Sequence, residues 1–160
     1  MRLPLVLLGV LLCAGSVLAA SPELRVEIDV QREVREVNRK GEARLVRRPV
    51  GVTKPGDVLV YTLRYRNVGT GPAVGATLSD PIPDGTVLVP GSVEAAPAHV
   101  LYSLDGKTYS ARPIVRRTNA SGVEEEVDAP AELVRHIRVA LPDELPAGSS
   151  GSTSFKVIVQ

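Results

Sequence analysis

Val58-Leu59-Val60-Tyr61-Thr62-Leu63-Arg64-Tyr65-Arg66 alternates with a period of two. Leu59, Tyr61, Leu63 and Tyr65 fall on one side of an extended chain, and Val58, Val60, Thr62, Arg64 and Arg66 on the other. A helix would scatter these residues around its axis, so the stretch reads as a strand with one face against a core. Lys54-Pro55-Gly56-Asp57 precedes it as a turn, with proline fixing φ and glycine accepting positive φ. Asn67-Val68-Gly69-Thr70-Gly71-Pro72 ends it.

The same period recurs on both sides. Upstream, Leu24, Val26, Ile28 and Val30 alternate with Arg25, Glu27 and Asp29. Downstream, Val74, Ala76 and Leu78 begin a strand that stops at Asp80-Pro81-Ile82-Pro83-Asp84-Gly85, because two prolines cannot continue a ladder. Thr86 to Val89 is a short strand closed by Pro90-Gly91. Val100, Tyr102 and Leu104 run into Asp105-Gly106, with Thr108 and Tyr109 beyond, which predicts a tight primed hairpin turn. Leu133 to Leu141 is a strand with His136 and Arg138 on its wetter face. After the turn Pro146-Ala147-Gly148-Ser149-Ser150-Gly151, a last strand sets Phe155, Val157 and Val159 on one side. No capped amphipathic stretch predicts a long helix. The expectation is an all-β antiparallel sandwich or barrel of about seven to nine strands.

Between Gln31 and Arg48 the chain is highly charged, and Asn38-Arg39-Lys40-Gly41 leaves two readings open, a hairpin turn or a mobile excursion. This stretch also holds Arg32, Arg35, Arg39, Arg44, Arg47 and Arg48, the candidate interaction surface. Guanidinium groups in such density suit anionic envelope polymer or the carboxylates of a partner protein.

The first residues carry a different signal. Arg2, an apolar run from Leu3 to Leu12, and small residues at Ala14, Gly15, Ser16, Ala19 and Ala20 have the order of a secretory signal peptide. Cleavage is expected after Ala19, leaving 20–160 as a single domain. The apolar run falls short of the ~20 residues a membrane span needs, so no transmembrane segment is expected in the mature chain. The one cysteine, Cys13, leaves with the leader, which excludes disulfides and thiolate chemistry from the remainder. Removal of Arg2 from the 19 basic residues leaves 18 against 18 acidic, a balance that gives nucleic acid no electrostatic footing. No C-terminal anchor is expected from Phe155-Lys156-Val157-Ile158-Val159-Gln160, which reads as strand.

Several of these segments, taken in order, resemble a known family. Pro55-Gly56-Asp57, then Tyr61, Leu63, Asn67, Gly69 and Thr70, then Asp80-Pro81-Ile82-Pro83-Asp84-Gly85-Thr86 and Pro90-Gly91-Ser92, look like the conserved repeat domain of bacterial surface proteins, the domain of unknown function eleven type. Tyr102-Ser103-Leu104-Asp105-Gly106 and the stretch from Pro146 to Val157 extend the likeness over about Leu24 to Val159. The resemblance implies an immunoglobulin-like sandwich in secreted or cell-wall proteins, often in tandem, and carries over no catalytic residues. This chain departs from it in holding a single copy, which weakens a role as a spacer.

Catalytic chemistry finds little footing in the sequence. The two histidines, His99 and His136, are isolated, whereas a zinc site needs three or four converging ligands. Ser149 and Ser150 have no base partner in a recognisable motif. Calcium is the one ion the residue types would suit, through Asp80, Asp84, Glu124, Glu125, Glu126 and Asp128, although their spacing matches no calcium loop. Asn119-Ala120-Ser121 has the form of a glycosylation sequon and is expected to be idle. The expected function is a non-catalytic structural or interaction module of the cell envelope, with an envelope protein or polysaccharide as partner and no cofactor. The alternative is a soluble periplasmic or secreted protein that binds a ligand or ion through the acidic cluster.

Overall fold

The structure is a computed structural model that describes residues 20–94 and 99–160. The expected signal peptide, 1–19, lies outside the described residues. The rest is an all-β sandwich in which every strand pairing is antiparallel.

The strands run in the order β1 (Leu24–Val37), β2 (Ala43–Pro49), β3 (Val58–Asn67), β4 (Ala73–Val74), β5 (Thr77–Pro81), β6 (Thr86–Leu88), β7 (Val100–Ser103), β8 (Ile114–Thr118), β9 (Glu124–Asp128), β10 (His136–Ala140), β11 (Glu144–Leu145) and β12 (Ser150–Val159). Twelve strands among the described residues exceed the expected seven to nine. Two of the additions, β4 and β11, are only two residues long and pair with each other. Two more, β8 and β9, make a separate two-stranded ribbon. Leu133 to Leu141, read as one strand, begins instead with a 3-10 turn at Ala131–Leu133.

One layer is a five-stranded sheet ordered β2-β1-β3-β12-β6, and β5-β10-β7 forms a three-stranded sheet. The alternation in β3 decides which side faces in. Leu59, Leu63 and Tyr65 are buried, and they join Leu88, Phe155 and Val157 from the same sheet. Leu78, Ile137, Ala73 and Leu145 come from the other strands, and Ile82, Val134 and Leu141 close the core from the connections. Tyr61 stands opposite Phe155 in the ladder, and their rings stack with centroids 5.1 Å apart and planes 12° from parallel. Phe155 is 1% exposed. Such a pair adds roughly 0.5–1.5 kcal/mol beyond the area it removes from water.

The outer face of β3 holds an exception to the alternation. Val60 points outward yet is 1% exposed. Glu33 stands opposite Val58, and Lys156 opposite Val60. The Lys156 Nζ donates to the Glu33 carboxylate at 2.7 Å, so this ion pair crosses β3 diagonally and its aliphatic stems cover the valines.

Asn67 closes β3 with a side chain that is fully buried. Its Nδ2 donates to the Gly71 carbonyl at 2.8 Å and to the Leu145 carbonyl at 2.9 Å. Its Oδ1 accepts the Gly69 amide at 3.1 Å and the Glu23 amide at 3.3 Å. One side chain thus holds the approach to β1, the loop after β3, and β11. Each buried polar group left without a partner costs about 1–3 kcal/mol. We expect Asn67→Ala to lower stability by about 3 kcal/mol in urea titration. Asn67→Asp should cost at least as much, since it turns a donor facing two carbonyls into an acceptor. A loss below about 0.5 kcal/mol for both variants, the level of an ordinary surface change, would contradict this role.

Candidate functional site

The charged segment 31–48 is a hairpin. β1 pairs with β3 from Leu24 to Glu33 and with β2 from Gln31 to Val37, so its last turn of ladder passes beyond the end of β3. Asn38 builds the tip. Its Oδ1 accepts the Lys40 amide at 2.9 Å and the Glu42 amide at 3.0 Å, and Gly41 adopts φ 82°. A positive φ there closes the turn at no steric cost, which is the role of glycine after a type I turn in a three-residue hairpin loop.

The register sorts the six candidate arginines by face. Arg32 stands opposite Arg48, and Glu36 opposite Arg44, on one side; Glu33 stands opposite Arg47, and Arg35 opposite Leu45, on the other. Arg39 lies in the tip. Arg32 reaches Asp57 at 3.4 Å, and its Nε is buried with no hydrogen-bond partner among the described residues. Arg48 pairs with Glu36 at 2.5 Å. Among the described residues, Arg35, Arg39, Arg44 and Arg47 make no ion pair. From Gln31 to Pro49 the sequence holds seven basic residues against three acidic. β2 is also the terminal strand of its sheet, so one edge of its backbone faces outward.

The carboxylates considered for calcium do not converge. Glu124, Glu125, Glu126 and Asp128 lie on β9, where Glu125 pairs with Arg117 at 3.1 Å and Glu126 with Arg116 at 3.2 Å. Asp128 pairs with Arg112. Among the described residues no group of three or more acidic, histidine or cysteine side chains is placed to hold a metal ion. The sign of the β8–β9 ribbon was present in the sequence as Asn119-Ala120-Ser121-Gly122. Asn119 Oδ1 accepts the Ser121 amide at 3.0 Å and the Val123 amide at 3.1 Å, and Gly122 adopts φ 80°. The segment with the form of a sequon is therefore the same turn that caps the β1–β2 hairpin.

Asp80 and Asp84, the other two carboxylates considered for calcium, accept no side-chain hydrogen bond among the described residues. Asp84 is exposed, and Asp80 shares the inward face of β5 with Leu78, opposite Ile137. Burial raises its carboxyl above the ordinary 3.8, an effect that nearby His136 partly offsets. Burial, and after it the Asp80 charge, raises the Tyr61 phenol above 10.0. His99 is exposed in its connection. His136 lies on β10 with a buried Nδ1 that has no partner among the described residues.

Asp105-Gly106 is not a tight two-residue turn. The chain turns more widely, with Tyr102 and Ser110 exchanging backbone hydrogen bonds of 2.8 and 3.0 Å. Ser103 and Asp105 organise the loop. Asp105 Oδ1 accepts the Lys107 and Thr108 amides, both at 2.8 Å, and the Ser103 hydroxyl at 3.0 Å. These donors hold its carboxyl at about 2.

Comparison with protein-family models, with curated proteins and with solved structures finds no match to this chain. No helix of the described residues is long and apolar enough to cross a membrane.

The two aspartates respond oppositely to acid. A carboxyl whose value rises on folding opposes folding when ionised, so Asp80→Asn should stabilise the protein at neutral pH, and the gain should vanish below pH 3.8. Asp105 has a lowered value, so its contribution is complete above pH 3.8 and fades as pH falls toward about 2. Carboxyl-carbon NMR should show Asp80 titrating well above Asp105; the reverse order would refute both assignments.

Proposed function

We propose that this protein is an exported, non-catalytic interaction module of the cell envelope that engages an anionic partner through the β1–β2 hairpin. The observation that carries the reading is the placement of Arg35, Arg39, Arg44 and Arg47 on one projecting hairpin without carboxylate partners among the described residues. Arginine forks pair with carboxylates and phosphates in two parallel hydrogen bonds, so the hairpin suits an anionic polysaccharide or an acidic protein segment. An acidic extended segment could also add to the free edge of β2. The leader-like order of residues 1–19 supports export, and the likeness to bacterial conserved repeat domains supports a place at the envelope. The ion-binding alternative draws less support, because three of its candidate carboxylates already face arginines.

Fractionation of producing cells tests the reading. The full chain should stay with the envelope at about 0.1 M salt and leave it at about 1 M, where the screening length falls to about 3 Å. Arg35→Glu with Arg39→Glu should release it at the lower salt while changing stability by less than about 0.5 kcal/mol. Unchanged retention of that double variant would rule out the hairpin as the contact.

A further inference from the structure

A second polar site lies on the outer face of the five-stranded sheet, at the end away from the hairpin tip. It is a groove of about 460 Å³ whose lining includes Arg25, Glu27, Arg64, Arg66, Ser150 and Ser152. The ladder arranges these residues in two rows. Arg25 stands opposite Arg66, which stands opposite Ser150; Glu27 stands opposite Arg64, which stands opposite Ser152. Neighbouring strands lie about 4.8 Å apart, and rows on one face about 6.8 Å apart. The six side chains therefore rise from a patch of roughly 10 by 7 Å, the footprint of one sugar ring with a substituent.

One of the two charged cross-strand pairs in the patch is unfavourable for the fold alone. Like charges directly opposite each other in a sheet destabilise it. Arg25 and Arg66 occupy such a position, and among the described residues neither has an ion-pair partner. Among the described residues Arg64 pairs with Asp29, at 3.7 Å, in the next row beyond the groove. Neither Glu27 nor the Ser150 and Ser152 hydroxyls make a side-chain hydrogen bond among the described residues. The position of β12 at this point is fixed from the opposite face, where the Tyr65 ring crosses Gly151. A Cβ on Gly151 would stand 2.4 Å from the Tyr65 hydroxyl, so a side chain there would have to displace the Tyr65 ring.

We propose that this groove binds a small hydroxylated anion, an acidic sugar unit carrying a carboxylate or phosphate group. The acidic group would sit between Arg25 and Arg66, whose planar forks suit either oxyanion and whose mutual repulsion it relieves. Ser150 and Ser152, one strand beyond Arg66 and Arg64, stand beside that group and face the ring hydroxyls. Glu27 gives the site its second requirement: a carboxylate accepts hydrogen bonds from ring hydroxyls and repels a bare anion. A neutral sugar would leave the arginines unanswered, and inorganic phosphate would leave Glu27 unanswered. The site shares none of its arginines with the hairpin, so the two readings stand or fall separately.

Isothermal titration calorimetry of the full chain with glucose 6-phosphate, glucuronate, glucose and inorganic phosphate tests the proposal. At least one acidic sugar should bind about tenfold or more tightly than inorganic phosphate, with no heat from glucose. If only one acidic sugar binds, the proposal holds and the oxyanion is identified. Arg66→Gln should weaken binding about tenfold without lowering the melting temperature, because it also removes a repulsive pair; Arg25→Gln serves if that variant does not fold. Arg35→Glu with Arg39→Glu should leave the titration unchanged. The proposal is overturned by the absence of binding from both acidic sugars at millimolar concentration. Phosphate binding as tight as theirs, undiminished binding by the Arg66 and Arg25 variants, or equal loss in the hairpin variant would each overturn it as well.

Discussion

A buried amide ties the five-stranded sheet to the β4–β11 pair where ladder hydrogen bonds cannot reach. The side chain of Asn67 satisfies two backbone amides and two carbonyls, and its own backbone meets Gly148 and Ser149 at the entrance to β12. The bond to Leu145 is the one that leaves the large sheet, since β11 belongs with β4 rather than with β3. A hydrophobic side chain could fill that volume but would strand the buried Gly71 and Leu145 carbonyls without a donor. The strand ends therefore depend on one residue with a donor and an acceptor at a fixed separation.

The layers differ in width, and much of the surface follows from that. Five strands face three, so the large sheet overhangs on the side of β1 and β2. Val26 and Ile28 align with Tyr65 and Leu63 on the inward face, yet they are 40% and 53% exposed. The apolar alternation of β1 thus continues past the cover that would make use of it. The same overhang frees β2 to carry charge on an unpaired edge, which also discourages indiscriminate pairing with other sheets.

Strands with one dry face were plain in the sequence, because burial imposes the period-two pattern that β3 and β12 display. The β8–β9 ribbon lacked such a signal. Its cross-strand partners include Arg116 with Glu126 and Arg117 with Glu125, and the half-buried Val115 with Val127 is too short an apolar run to give a periodic signal. Surface pairs of this kind contribute only about 0.2–1 kcal/mol each, and the turn at Asn119 does as much to define the ribbon. The hairpin arginines could be found because they are neighbours in sequence. Arg25, Arg66 and Ser150 could not, since only the pairing register of three strands brings them into one row. Asp80 is hidden for a related reason: its proline-rich surroundings suggest a solvated loop, but it occupies the last inward position of a strand.

β1 belongs to both the body and the projecting hairpin, with no break between its pairing to β3 and its pairing to β2. A tether attached at the tip would therefore pull along the strand axis and load the β1–β3 ladder in shear. Bonds in that geometry share the load and must rupture together, whereas a hairpin hung from a loop would peel open one bond at a time. The fold supplies a mechanically stiff attachment point, and the direction of pull would decide how long the connection lasts.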